Sequence, residues 1–447
     1  MTQAILFKGI KIYKDRQFES ADIYVKDGIF LDVPDNLDQD TIIINGRGLH
    51  MFPGFCDLHV HFREPGKEYK ETIESGAMAA AHGGYTSVCT MPNLNPVPDS
   101  LENLKPQIEK IIEASKKRAI PRVIPYASIS RGEQGKELSD MEELAPYVAG
   151  FTDDGVGVMD DNLMEEAMKK AEKLNKAIVA HAEDIRLVNG GVIHDGEYAR
   201  IHGHKGNPSA SEYEQVIRDL ALAEKTGVHY HVCHVSTKES VAAILEAKKK
   251  GLGVSFETGP HYLTLTDMDL QEDGRFKMNP PIRAEEDRDA LRKAMCAGSL
   301  DAIATDHAPH SEEEKSRGLD RSLNGIVGLE TAFSVCYTDL VRTGLIELGD
   351  LVYLLSIKPY RTLDLDSVKD PRGVKADPEL GLKPGNKANF TVFDLEDRYT
   401  VDPKDFLSKG KSSPFTGKEV YGSCLMTVVD GEFAYINKDN LEKRAIG

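Results

Sequence analysis

Between residues 51 and 305 the chain alternates short apolar runs with long amphipathic stretches, and few folds accept that rhythm. The first four runs are Met51-Phe-Pro-Gly-Phe-Cys56, Thr86-Ser-Val-Cys-Thr-Met91, Arg122-Val-Ile-Pro-Tyr-Ala127 and Ala149-Gly-Phe-Thr152. The next four are Ala177-Ile-Val-Ala180, His229-Tyr-His-Val-Cys-His234, Gly253-Val-Ser-Phe-Glu257 and Asp301-Ala-Ile-Ala-Thr305. Short runs bounded in this way read as buried strands. Helix-like stretches lie between them, among them 163–175, 211–226, 238–250 and 285–297. Strands alternating with helices over roughly 250 residues predict an α/β chain folded as a (β/α)8 barrel of the TIM type. An open doubly wound sheet has the same rhythm, but no Gly-x-Gly-x-x-Gly phrase follows the first strand.

The two ends read differently. Ile5-Leu-Phe-Lys-Gly-Ile-Lys-Ile-Tyr13 and Ala21-Asp-Ile-Tyr-Val-Lys-Asp-Gly-Ile-Phe30 alternate apolar with polar, and Lys26-Asp-Gly28 is a turn signal. Asn389-Phe-Thr-Val-Phe-Asp394 and the segment 424–435 repeat the pattern, with a hairpin signal at Asp430-Gly431. These segments predict antiparallel strands. We expect residues 1–50 and 366–447 to form one small β-sandwich domain and residues 51–365 to form the catalytic barrel.

Composition removes several classes of function. A formal charge of −18 argues against a general nucleic-acid-binding surface, and an anionic substrate would need dedicated local cations. No apolar run approaches a membrane span, and the start, Met1-Thr-Gln-Ala-Ile5, has no signal-peptide pattern. The six cysteines are widely spaced and mostly inside apolar segments, which suits reduced thiols and a cytoplasmic location.

Barrel active sites sit where the strands end. His59 and His61 close the first strand, Asp153-Asp154-Gly155 follows the fourth, and His181, His234 and Asp306 end the fifth, sixth and eighth. Residues two apart on a strand share a face, so His59 and His61 can offer two imidazoles to one cation. Together the rim residues predict a metal centre, and a carboxylate such as Asp306 can bind metal while relaying a proton. His234 is preferred to His231 because it stands where the strand turns, whereas His307 and His310 are both left as candidates. His82 precedes Gly83-Gly84 and suits a helix C-terminus. His194, His202 and His204 lie in a Gly-rich loop and are expected in solvent.

Arg63 emerges two residues beyond His61, and its guanidinium is suited to a carboxylate or phosphate; a surface pair with Glu64 is the alternative. Asn93 and Asn279 end strands two and seven and offer the donor and acceptor that a ring amide needs, although each also adjoins prolines in a turn. The charged stretch 311–322 reads either as a solvated loop or as a lid.

These residues carry a resemblance. The phrases Asp57-Leu-His-Val-His-Phe-Arg-Glu-Pro-Gly66, Lys70-Glu-Thr-Ile-Glu-Ser-Gly76, Met91-Pro-Asn93 and Thr152-Asp-Asp-Gly155 resemble the type I dihydroorotases of the metal-dependent amidohydrolase superfamily. His231-Val-Cys-His-Val-Ser-Thr237, Lys277-Met-Asn-Pro-Pro281, Ala304-Thr-Asp-His-Ala-Pro-His310 and Gly325-Ile-Val-Gly-Leu-Glu-Thr331 extend the likeness. It implies reversible cyclisation of N-carbamoyl-L-aspartate to L-dihydroorotate in pyrimidine biosynthesis. It also implies two Zn2+ ions: His59, His61 and Asp306 on one, His181 and His234 on the other, with hydroxide and one of Asp153 and Asp154 between them, the family pattern favouring Asp154. Asp306 would be the catalytic acid and base. Arg63, Asn93 and His310 would hold the substrate carboxylate, and Asn279 with the backbone at Asn324 and Gly325 would contact the ring. A homodimer, and aspartate transcarbamoylase as a partner, belong to the same implication. Hydantoinases, dihydropyrimidinases and allantoinases are the rival activities, but some relatives bridge their metals with a carbamylated lysine after strand four, and residues 151–158 contain no lysine. A noncatalytic scaffold for aspartate transcarbamoylase is the rival from another class; such relatives lack ligands that are all present in this chain. Leu323-Asn324 stands where the family has Pro-Phe, which puts the ring contact there in question.

Overall fold

The computed structural model describes residues 4–374, 380–438 and 440. It opens with strands β1 (Ile5–Lys14), β2 (Gln17–Lys26), β3 (Ile29–Leu31), β4 (Ile42–Asn45) and β5 (Leu49–Pro53). The barrel strands follow as β6 (Phe55–Val60), β7 (Tyr85–Thr90), β8 (Arg122–Pro125), β9 (Gly150–Phe151) and β10 (Ala177–Ala180). After the short pair β11 (Ile193–His194) and β12 (Gly206–Asn207) come β13 (Tyr230–Val232), β14 (Val254–Thr258) and β15 (Ala302–Ile303). The chain returns to the first region in β16 (Phe390–Thr400), β17 (Glu419–Val429) and β18 (Glu432–Ile436).

The eight barrel strands are parallel and run in chain order around a ring. Strands β6, β7 and β8 form one ladder, and β9, β10, β13, β14 and β15 the other. Two isolated parallel bridges join them, Ala127 with Phe151 and Val60 with His307. The fold is a (β/α)8 barrel with a small β-sandwich domain from both chain ends. Four of the barrel helices begin where the sequence supplies a cap: the side chains of Thr72, Ser100, Asp160 and Thr237 accept first-turn amides of the helices at Ile73–His82, Leu101–Lys117, Asp161–Lys173 and Lys238–Lys249.

The end strands form one sheet in the order β18-β17-β16-β5-β1-β2-β3, so both ends of the chain share it. The register shift between Phe7 and Ile10, with Gly9 at φ +67°, lets β1 pair β4 with its first half and β5 with its second. Both pairings are parallel, where alternation alone had suggested antiparallel strands throughout.

The run Met51–Cys56, which reads as one strand, is divided at Gly54. Met51 to Pro53 belong to the end sheet and Phe55 opens the barrel. A Cβ on Gly54 would lie 2.1 Å from the Thr86 side chain, so glycine is what lets the chain pass from one unit into the other. Phe52 and Phe55 flank this point, and Phe333 and Phe393 pack with them, the last two rings 4.3 Å apart. Barrel and end sheet therefore meet in one continuous apolar core.

Two expectations about loop histidines are corrected. His194 lies on β11, is buried, and its Nδ1 is 3.3 Å from Arg283 Nη1. The His204 ring is largely covered and sits between Asp320 and Glu272, at 2.6 and 2.9 Å. Only His202 is exposed as expected. Glycine-rich sequence marks a loop, yet it does not say what folds over it.

Candidate metal centre

Strand β6 is buried at all six positions although it contains Asp57 and His59. Asp57 explains how the rim is assembled. Its carboxylate accepts the amide of His59 at 3.0 Å and that of Thr305 at 3.2 Å, tying the first strand to the last. Directly beyond, the His61 amide donates to the His307 carbonyl at 2.8 Å. Residues 59, 61 and 306 are thus brought together from opposite ends of the barrel sequence.

The structure brings all six candidate ligands into one buried cluster. His59 Nε2 is 3.4 Å from both Asp154 Oδ1 and Asp306 Oδ1. His61 Nε2 is 3.2 Å from Asp306 Oδ1 and 3.5 Å from Asp154 Oδ2. On the other side, His181 Nδ1 lies 3.7 Å from Asp154 Oδ1 and 2.9 Å from His234 Nε2, which is itself 3.9 Å from that oxygen. Asp154 therefore stands between the two histidine pairs. Asp153 points elsewhere: it accepts the amides of Ile129 and Ser130 and the Ser130 hydroxyl. His231 is buried against Glu257 and Ser255, outside the cluster, and His307 faces Glu71.

Backbone and charge both carry strain here. Arg63, His234 and Asp306 have φ of +58°, +32° and +48°, a region non-glycine residues seldom occupy and one that clusters at functional sites. Burial raises the Asp306 carboxyl to about 7, with His59 pulling the other way. Burial opposes charge on His59 too, but Asp154 and Asp306 hold its pKa well above the usual histidine value. His61 is driven well below that value by burial and by Arg63, and His234 by burial and His181.

The buried atoms His59 Nε2 and Asp154 Oδ1 make no hydrogen bond, although they face each other across the cluster. Buried polar atoms without partners are costly and call for explanation. Sets such as His59–His61–Asp306 and His59–Asp154–His234 gather imidazole and carboxylate donors tightly enough for one cation each. This donor chemistry suits zinc and other first-row divalent metals.

The proposed substrate contacts surround this cluster. Arg63 is buried, with Nη1 3.4 Å from His61 Nδ1 and Nε donating to the Pro309 carbonyl at 3.4 Å; Glu64 instead accepts the Ile73 amide. Asn93 donates to the Asp154 carbonyl at 2.5 Å and leaves its own Oδ1 without a partner. Asn279 donates to Glu183 at 3.1 Å. The His310 ring is engaged at both nitrogens, 3.0 Å from Lys70 Nζ and 2.7 Å from the Asn324 carbonyl. The Gly325 amide donates to the Lys277 carbonyl at 3.0 Å, so it is already satisfied within the chain.

Several acidic residues escaped the sequence reading. Glu257, one residue before the end of β14, lies 3.1 Å from His59 Nδ1, and Glu183 lies 3.7 Å from His181 Nε2. Glu133, near Asn93, is pushed up to about 9 by burial and by Asp153 and Asp154. Glu257 had a signal, since an acid inside a buried strand needs a partner. Glu183 sits in a loop and Glu133 in a short 3-10 turn, where nothing in the sequence distinguishes them from solvated acids.

Comparison with known proteins agrees with this picture. The family model described as dihydro-orotase-like matches residues 48–240. The chain is 46% identical to a dihydroorotase of Fusobacterium nucleatum over 439 residues, covering 98% of this chain and 100% of the relative. A dihydroorotase of Shouchella clausii is 48% identical, with 93% of each chain covered. Among solved structures, the L-hydantoinase of Arthrobacter aurescens superposes with a TM-score of 0.82 at 24% identity, over 97% of this chain and 96% of that one. A dihydropyrimidinase from Brevibacillus agri gives 0.79 at 23% identity, over 97% and 95%, so these structures share the fold. Near-full-length identity at this level places the chain in the dihydroorotase family of the metal-dependent amidohydrolases.

Proposed function

We propose that the chain is a dihydroorotase that interconverts N-carbamoyl-L-aspartate and L-dihydroorotate. The observation that carries the reading is the position of Asp154 between two histidine pairs, with Asp306 and buried Arg63 beside them. His59, His61 and Asp306 would hold one cation and His181 with His234 a second, Asp154 serving both. Bound there, divalent metal lowers the pKa of water to about 7 and polarises a carbonyl.

The chain's own groups supply the rest. In hydrolysis Asp306 takes the proton shed by the attacking water on a carboxylate oxygen and passes it to the ring nitrogen that leaves. In synthesis the same carboxyl moves the proton the other way. Arg63, with Lys70 beside His310, gives the local positive charge that an acidic chain needs to hold the substrate carboxylate. Asn93 and Asn279 offer amide groups at the rim, and His310 and the backbone at 324–325 would have to exchange internal hydrogen bonds for substrate. The reading extends to zinc as the metal, two ions per chain, and a reducing cytoplasmic setting, which the five buried, unpaired cysteines suit. A division at about residues 50 and 365 into sandwich and barrel, a homodimer and an association with aspartate transcarbamoylase complete the proposal. The last two rest on family resemblance.

The test is to load purified protein with zinc and compare hydrolysis of dihydroorotate, hydantoin and dihydrouracil. The expected outcome is turnover of dihydroorotate alone at substantial rate. Preference for either neutral ring would overturn the reading.

A further inference from the structure

A buried polar chain leads away from the metal-facing side of His59. His59 Nδ1 lies 3.1 Å from Glu257 Oε1, and Glu257 Oε2 lies 3.2 Å from His231 Nε2. His231 Nδ1 is 2.7 Å from Ser255 Oγ, and the same hydroxyl is 2.7 Å from His229 Nε2. Glu257 and His231 are completely buried, and Ser255 nearly so. Strand direction gives the chain an axis. Residues 255 and 257 are two apart on β14, and His229 immediately precedes β13, which holds His231, so the contacts descend from the catalytic rim towards the opposite mouth of the barrel.

Proton bookkeeping along these contacts leaves little freedom. An ionised Glu257 can only accept, so both imidazole nitrogens facing it must carry hydrogen. His59 is then protonated at Nδ1, which leaves Nε2, the atom facing Asp154 and Asp306, for a cation to take. A neutral His231 protonated at Nε2 must accept at Nδ1, and Ser255 Oγ is the donor in reach. Ser255 can in turn accept from His229 Nε2. With a cation at His59 Nε2, one arrangement satisfies every contact while all three imidazoles stay neutral, and it holds His59 in the tautomer that cation requires.

We propose that Glu257 is the positioning residue for His59, and that Ser255 sets its action from the far side by fixing the tautomer of His231. This rests on the assignment of His59 as a metal ligand. Without the Ser255 hydroxyl, His231 is free to carry its hydrogen on Nδ1. Its Nε2 lone pair would then face the Glu257 carboxylate, and the clamp on His59 would loosen. The effect is transmitted over two intervening side chains with no change at the metal-facing atoms.

The experiment measures zinc retention against a competing chelator, without reference to turnover. Glu257→Gln should lower zinc affinity about 10–100-fold, the range found for partners of ligating histidines. Ser255→Ala should lower it several-fold, and Ser255→Thr, which keeps the hydroxyl, should restore it. Nitrogen-15 spectra of zinc-loaded, histidine-labelled protein should show His231 protonated at Nε2 in the unsubstituted and Thr proteins, and a mixture of His231 tautomers in the Ala variant. Where Glu257→Gln does not fold, the Ser255 pair decides. Zinc held equally tightly by Ser255→Ala and the unsubstituted protein overturns the proposal, as does an unchanged His231 tautomer. Zinc-loaded protein that holds metal as described but fails to turn over dihydroorotate would refute the dihydroorotase reading and leave this inference standing.

Discussion

Asp153 and Asp154 are adjacent carboxylates with opposite duties. Asp153 is spent on the backbone, with two amides and the Ser130 hydroxyl, whereas Asp154 faces the histidines. Asp153→Asn should therefore lower stability, since a buried acceptor lost from amides costs about 1–3 kcal/mol, yet leave zinc bound. Asp154→Asn should do the reverse, releasing metal with little change in the urea midpoint. Asp306→Ala should abolish turnover while the thermal transition is retained; residual dihydroorotase activity in that variant would remove Asp306 from its assigned role. Much of this was legible from residue type and placement: His59, His61, His181, His234 and Asp306 all stood at strand ends. The choice between residues 153 and 154 was not, because neighbouring positions in a loop have no fixed parity. Only the amides at 129 and 130, brought in by another strand, separate them.

At the scale of elements, the barrel strands were readable because strands covered on both faces are continuously apolar, a pattern loops do not mimic. The passage from one unit to the next was less so. Two strands separated only by Gly54 look like one, and the break depends on Thr86 lying across it. Gly54→Ala should cost about 1–3 kcal/mol by overpacking, read as a lower urea midpoint with the site unchanged. The stretch 311–322 is likewise more tied down than its charge suggests. Lys315 is buried and donates to the carbonyls of Lys277, Leu323 and Gly325, and Asp320 holds His204. Burial opposes charge on His204, but Glu272 and Asp320 raise its pKa above the ordinary value. A raised histidine contributes fully below its unfolded pKa of about 6.5 and loses that contribution as pH climbs through the folded value. Trypsin cleavage at Arg317 and Arg321 should thus accelerate with pH relative to a His204→Gln control assayed at each pH. A constant ratio would show that the contact does not hold the loop.

For the molecule as a whole, the shared aromatic core makes barrel and end sheet mutually dependent. Phe393 lies on β16, but its ring packs on Phe333, Phe52 and Phe55. Phe393→Ala should cost about 3–5 kcal/mol and shift one common unfolding transition, seen alike by circular dichroism and tyrosine fluorescence. Two separated transitions would mean the units are independent. Which strands of the two ends would meet was beyond sequence patterning, since β1 divides its length between β4 and β5 and the sheet draws on strands more than 300 residues apart. The Asp57 contact with Thr305 acts at this scale too. On the proposed ligand assignment, one metal's own donors come from the first and last strands of the ring, so a growing chain offers that cation two imidazoles and the shared Asp154 but not its full set until residue 306 has been made and docked. Full zinc uptake would then report a finished circle: a chain stalled before its eighth strand could hold at most the other ion, and a cell sensing complete metal occupancy would be sensing completed folding.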